Sequence, residues 1–205
     1  MKTKLMELSY GPYELEPYFD GRSMVVHYSQ YYKTYIVALA ELLEKYPQYS
    51  GLSAGELLTA KLVMPEPDAD EIRYYAGGII NHELYFDGIT PKKTGLHGSL
   101  GEAIVQTFGS PGSFKEIFIA TGASIKGSGS VFLLSDVDGA LHIRTLPDNA
   151  VPQPSVFGTI LICDMWEHAY LFKHKSRVDE YMGNWFSVID WDEAEKRYQL
   201  CKRGS

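Results

Sequence analysis

The stretch Asp164-Met165-Trp166-Glu167-His168-Ala169-Tyr170 follows directly on the apolar run Thr159-Ile160-Leu161-Ile162-Cys163. A β-rich, apolar run of that kind predicts a buried strand. Asp164 then sits where the strand ends and His168 one helical turn further on, so both can turn toward one point. A buried carboxylate is costly unless it is paired or coordinates a metal. An aspartate and an imidazole converging from a strand end therefore point to metal ligation more than to packing. His27 and His82 stand in comparable settings, and together with Asp164 and His168 they are the candidates for one site.

Outward from that stretch, residues 131–135 and 140–145 flank Asp136-Val137-Asp138-Gly139 and read as a β-hairpin. A three-proline loop, 146–157, leads back to the 159–163 strand. Helices are expected at 100–108, 113–122, 166–172, 178–187 and 191–200. In the first half Ser23 is placed to cap a helix running through the forties until Pro47 and Gly51. On a regular helix His27, Tyr31 and Tyr35 share one face, at i, i+4 and i+8. A short helix around 53–62 follows, then Pro65 and Pro67. Asp68 or Asp70 can cap a second long helix, roughly 71–86, that carries His82 and ends at Asp87-Gly88. Helices so connected usually pack antiparallel, which could bring His27 and His82 face to face. The turn-rich stretch 88–97 is the best candidate boundary. The expected class is α+β: an N-terminal helical hairpin domain, residues 1–90, and a C-terminal domain of sheet and helices, residues 91–205.

The bulk properties bound the function. At 205 residues the chain is long enough for one or two domains, and 45% apolar with 22% charged residues is ordinary for a globular protein. A net charge of −7 argues against a general nucleic-acid binder and requires any anionic substrate to find a locally positive approach. Cys163 and Cys201 form neither a disulfide framework nor a zinc ribbon. The start of the chain has no apolar signal core and no run has transmembrane length, so a cytoplasmic location is expected and no membrane partner. Fifteen tyrosines exceed packing needs, and buried ones require hydroxyl partners.

Three imidazoles and one carboxylate suit manganese, iron or zinc. A lone helical histidine is more often a satisfied core or surface residue, and His97, His142 and His174 are read that way. His27 and His82 are lifted out of that reading by resemblance. The whole chain resembles the iron/manganese superoxide dismutase family through Leu15-Glu16-Pro17-Tyr18, Met24-Val25-Val26-His27 with Tyr35, Ala76-Gly77-Gly78-Ile79-Ile80-Asn81-His82, Lys126-Gly127-Ser128-Gly129, Asp164 to Tyr170, and Val188-Ile189-Asp190-Trp191-Asp192-Glu193-Ala194. The resemblance implies a three-stranded antiparallel sheet in the second domain and His27, His82, Asp164 and His168 as ligands of one manganese or iron ion. It further implies Tyr35 at the substrate entrance, Trp166 as a pocket wall, superoxide as substrate, and a homodimer or tetramer. Glu167 and Tyr170 would cross the dimer interface, Glu167 to the partner's ligand histidine.

The chain departs from the family pattern at three places. Members usually supply a glutamine to the metal-bound solvent, from one of two positions. Here the first is Gly78, and the second falls near Asp148 or Asn149; Asp148, Asn149 and Gln153 are the candidate replacements. Gly78 is the manganese-type choice, which tilts the expectation toward manganese and leaves iron open. The usual entrance histidine is Tyr31, and the tryptophan of a GSGW pattern is Ser130, with Phe132 as a partial substitute. The alternative reading is a divergent metal-binding member with little dismutase activity, a metal store or structural dimer. A zinc hydrolase lacks the glutamate general base of a HExxH motif.

Overall fold

Asp20, and not Ser23, opens the first helix. Its carboxylate accepts the Ser23 amide and hydroxyl, each at 2.8 Å, the usual way a first helical turn is capped. The computed structural model describes residues 5–203. Helix α1 (Gly21–Val26) passes into a π-helical turn (His27–Tyr32) and then α2 (Lys33–Leu43). The expected regular helix is thus one rod with a π turn inside it, a feature often found at functional sites. The wider turn buries Tyr32 fully while Tyr31 stays 40% exposed, and His27, Tyr31 and Tyr35 still all face the same cluster of imidazole rings.

A 3₁₀ turn (Pro47–Tyr49) ends that rod. Ser53 and Glu56 then form a reciprocal capping box for α3 (Ala54–Thr59). Helix α4 (Glu66–Asp87) begins at Pro65, earlier than Asp68 or Asp70 predicted. Pro67 is accommodated because the first-turn amides have no intrahelical acceptor to lose. Helix α4 packs on both α2 and α3.

The second half starts with α5 (Gly98–Phe108) and α6 (Pro111–Ala123). Strands β1 (Gly129–Asp136), β2 (Leu141–Pro147) and β3 (Phe157–Asp164) form an antiparallel sheet in the order β2-β1-β3. Strands β1 and β3 run beyond their expected bounds at both ends, and β2 beyond its expected end, because ladder pairing continues into the flanking positions. Ser130 pairs with Asp164 and Phe132 with Ile162, and directly opposed residues share a face. That face delivers Asp164 to the site. Helices α7 (Glu167–His174), α8 (Val178–Phe186) and α9 (Trp191–Arg203) complete the chain.

The turn-rich linker is pinned rather than loose. Ile89 bridges Ile189, the Thr90 amide donates to Val188 O at 2.7 Å, and the Asp190 amide to Gly88 O at 2.9 Å. One continuous apolar core runs from Leu15 through Phe86 and Phe118 to Trp185. Among the described residues, no helix is long and apolar enough to cross a membrane.

Candidate metal centre

His27 opens the π turn, His82 lies in the last third of α4, Asp164 ends β3 and His168 lies in the first turn of α7. All four are buried, none more than 8% exposed. One ligand atom from each falls within 4.8 Å of all the others. The three imidazole Nε2 atoms surround a single carboxylate oxygen, Asp164 Oδ2, at 3.0 Å (His27), 3.9 Å (His82) and 3.2 Å (His168). The His27 and His82 rings stand edge to face, with centroids 5.0 Å apart.

The second contacts of these groups decide what their free atoms can do. His82 Nδ1 lies 2.7 Å from Gly78 O; as donor there it leaves the Nε2 lone pair free for a ligand. Asp164 Oδ1 accepts the Trp166 amide at 2.8 Å, and the Asp164 carbonyl accepts the Tyr181 hydroxyl at 2.7 Å. That leaves Oδ2 to face the histidines. Despite their short distances, His27 Nε2 and His82 Nε2 make no hydrogen bond. Two buried nitrogens without partners are an anomaly for packing and what a ligand site requires.

Protonation follows. Burial holds His27 and His82 neutral, His82 down to about 3 with the neighbouring His27 adding to the effect. For Asp164 burial acts upward, but His168, and after it the closeness of His27, outweigh it, so the carboxyl stays ionised, below its usual range. Neutral His27 and His82 beside an ionised Asp164 are in the forms a metal takes. The donor set, three nitrogens and an oxygen, fits manganese or iron.

The wall around this cluster is aromatic. Tyr31 stacks on His168 at 4.2 Å and 17°, Trp166 lies 5.7 Å from the same ring, and Tyr35 lies 5.3 Å from His82. A narrow crevice between Asn81, Ser130, Asn149, Ile162 and Trp166 reaches the cluster. Ser130, not Phe132, lines it; Phe132 is fully buried one pleat along the same face.

Of the three candidate replacements for the missing glutamine, Asn149 is the one that enters the site. It is 3% exposed and its Nδ2 has no hydrogen-bond acceptor. Asp148 is exposed, and its backbone, at φ 49°, is occupied by Ser128 and Trp166. Gln153 is exposed and donates to Ser155 at 3.2 Å. Neither reaches the cluster, because the loop turns their side chains outward. Two glycines of α4 make room for Asn149. A Cβ on Gly77 would lie 2.1 Å from Asn149 O, and one on Gly78 would lie 2.9 Å from Asn149 Nδ2 and 2.8 Å from Tyr35 Cγ.

Glu167 is exposed beside His168 and makes no hydrogen bond or ion pair among the described residues. Tyr170 turns toward its own chain, with its ring 5.3 Å from that of Tyr181. The outward side chains of α7 are Leu171 and Phe172, 48% and 68% exposed.

Three supports escaped the sequence. Tyr32 lies parallel to the His82 ring at 5.8 Å and donates to Glu83 at 2.9 Å. Tyr181 and Tyr85 join hydroxyls 3.3 Å apart beneath Asp164. The Gly77-Gly78 seat did leave a signal, since paired glycines inside a helix are unfavourable and call for a packing reason. Nothing local marks Tyr32, whose burial depends on the π turn.

Comparison with known proteins agrees with this geometry. Family models described as iron/manganese superoxide dismutases match along the chain, the alpha-hairpin domain over residues 2–90 and the C-terminal domain over residues 96–197. The chain is 36% identical over 205 residues to "Superoxide dismutase [Mn] 1" of Leptolyngbya boryana, covering 98% of this chain and 82% of that protein. It is 36% identical over 203 residues to "Superoxide dismutase [Mn]" of Listeria monocytogenes, and 34% over 203 residues to its namesake in Listeria innocua, each covering 98% of this chain and all of the relative. With the fold, the four converging ligands and both halves matched, the chain belongs to the iron/manganese superoxide dismutase family.

Proposed function

We propose that this protein dismutates superoxide, with manganese or iron held by His27, His82, Asp164 and His168. The observation that carries the reading is the set of three imidazole nitrogens around Asp164 Oδ2, two of them buried without a hydrogen bond. A bound manganese or iron ion supplies alternating one-electron oxidation and reduction. The residues do the rest. Around such an ion, three imidazoles and a single carboxylate would leave part of its positive charge uncompensated, which attracts the superoxide anion despite the net charge of −7. Trp166 and Tyr31 cover the cluster and limit water. Asn149 aims its unpartnered amide N–H groups at the solvent position, the role a glutamine fills elsewhere in the family, and Tyr35 stands beside it. Gly78 at the helix position favours manganese.

The finer organisation belongs to the same reading. The chain divides at residues 90 and 91 into helical hairpin and α+β domains, supported by the turn that follows α4. It works as a homodimer, alone or paired into a tetramer, through the α7 face. Exposed Glu167 beside His168, with exposed Leu171 and Phe172, supports this. A twofold axis there would let Glu167 serve the partner's ligand histidine reciprocally, with Tyr170 close behind. The free cysteines Cys163 and Cys201 support a cytoplasmic location.

The test pairs metal analysis with the decay of superoxide pulses. Manganese or iron near one ion per chain, with decay that scales with metal content, is the expected result. A metal-loaded protein that leaves superoxide decay at the background rate would favour a metal store instead.

A further inference from the structure

We propose that Arg197 is a positioning residue for the metal centre: it ties the end of the helix that carries His82 to the strand that carries Asp164. This rests on the reading of the four converging side chains as a manganese or iron site. Arg197 stands on α9, outside that cluster.

A guanidinium is seldom buried unless its donors and its charge are paired. Arg197 is 8% exposed, and its three nitrogens reach four acceptors. Nη1 donates to Leu84 O at 3.2 Å and to Ile160 O at 3.5 Å. Nε donates to Glu193 at 3.1 Å and Nη2 to Asp87 at 3.0 Å. Two carboxylates thus neutralise the cation, while one nitrogen bridges main-chain carbonyls from the two halves of the molecule.

Both carbonyls lie where the backbone needs an outside partner. Leu84 is two residues past His82, in the last turn of α4, and its carbonyl shares the Gly88 amide with Tyr85 O. Carbonyls in a last turn have lost their regular intrahelical donors, and a cation is favoured beside them. Ile160 is the residue that the ladder skips: Leu161 lies opposite Leu133, and Thr159 opposite Leu134. Such a bulge bends its strand and leaves the extra residue unpaired. It comes four residues before Asp164, so the bend aims the end of β3. Gly88 keeps the seat open, since a Cβ there would lie 2.9 Å from Leu84 O and 3.3 Å from Arg197 Nη1.

The clamp is anchored at its own end. Asp190 Oδ1 accepts the amides of Asp192 and Glu193 at 3.1 and 3.0 Å, and the Asp190 amide donates to Gly88 O at 2.9 Å. Only the planar fork of arginine can serve two carbonyls and two carboxylates from one position. A buried ion pair adds little net stability over apolar packing, so the effect of this one is read at the metal.

Arg197→Met keeps most of the stem and removes the fork. Neither carboxylate is stranded, because Asp87 is exposed and Glu193 still accepts from Lys196 at 2.8 Å. Two readouts are taken on the manganese-loaded full chain: the electron paramagnetic resonance spectrum of manganese(II), which reports ligand placement, and the rate of metal loss to excess EDTA. The spectrum should change, and metal loss should quicken on the order of tenfold, the low end for groups that orient ligands. Arg197→Lys keeps the charge without the fork and should fall between parent and Arg197→Met. Tyr198→Phe removes the neighbouring residue's bond to Gly139 O at 3.0 Å; it loosens the same helix and should keep the parent spectrum and release rate. A parent-like spectrum and release rate in Arg197→Met would overturn the clamp, whatever the thermal midpoint. So would equal changes in Tyr198→Phe, which mark a loosened helix. Should Arg197→Met fail to fold, Arg197→Lys is held to the same criteria. A parent protein that binds neither manganese nor iron would instead remove the reading of the centre, and the positioning role with it.

Discussion

The two halves of the centre hold their ligands in different ways. In the C-terminal half, Asp164 and His168 are four residues apart across a strand-to-helix junction, so local backbone geometry alone presents them together. Ladder pairing with β1 and the bonds from the Trp166 amide and the Tyr181 hydroxyl then lock Asp164. In the N-terminal half, His27 and His82 come from separate helices and meet only through packing. There, position depends on a π turn, a Gly-Gly seat and stacked tyrosines. The C-terminal pair is therefore set by sequence-local structure, and the N-terminal pair by tertiary fit, which leaves it more open to remote change.

The largest expected effect tests whether the halves act as one site. Asp164→Asn removes the only carboxylate of the cluster while keeping its shape. Metal retention, read by elemental analysis after dialysis, should fall at least about a hundredfold, beyond the range for groups that merely support ligands. His82→Ala should do the same from the other half. Full metal content after either substitution would break the unity of the site.

Acid should weaken the N-terminal half in particular. His27 and His82 are held neutral in the fold, His82 down to about 3, whereas in the unfolded chain they titrate near 6.5. Between those values the unfolded chain binds more protons, so stability falls as pH drops through that window and gains nothing from these groups above it. The depressed Asp164 acts in the same direction at the lower end. Thermal unfolding of the metal-free protein from about pH 7 to about pH 4 measures the slope. His82→Gln should flatten it, and an unchanged slope would show that His82 is not the neutral group assigned.

A smaller effect separates the glycine seat from ordinary helix. Gly78→Ala forces a Cβ into Tyr35 and Asn149 and should cost about 1–3 kcal/mol, as overpacking does. Gly55→Ala in α3 meets nothing nearer than 3.9 Å and should gain about 0.4–1 kcal/mol. Denaturant melts of both variants decide it, and equal effects would contradict the seat.

The smallest contrast concerns the π turn. Tyr32→Phe loses the bond to half-buried Glu83 and should cost about 1–2 kcal/mol. Tyr31→Phe, exposed and without a hydrogen bond, should stay within about 0.5 kcal/mol. The reverse order would mean that a regular helical phase describes the protein better.

What the sequence revealed follows the same division. Asp164, His168, the hairpin and the order of helices could be read directly, because strand alternation, turn residues and a four-residue spacing are local signals. His27 and His82 needed the family resemblance, since no periodicity says which helices meet. Asp20 and Ser23, three residues apart, are both good cappers, and only the fold shows that Ser23 donates to Asp20 instead of capping a helix itself. Asn149 could not be told from Asp148 or Gln153, because in an irregular loop the inward residue is fixed by contacts with Gly77 and Gly78. Tyr32 was hidden because a π turn leaves no compositional mark.

The central claim is that residues from both halves coordinate one ion, and anomalous diffraction from metal-loaded crystals tests it most directly. One peak per chain should lie about 2.0–2.3 Å from Nε2 of His27, His82 and His168 and from an Asp164 carboxylate oxygen, as for comparable nitrogen and oxygen ligands. A peak bound by only one half, or a loaded protein whose metal lies elsewhere, would contradict it.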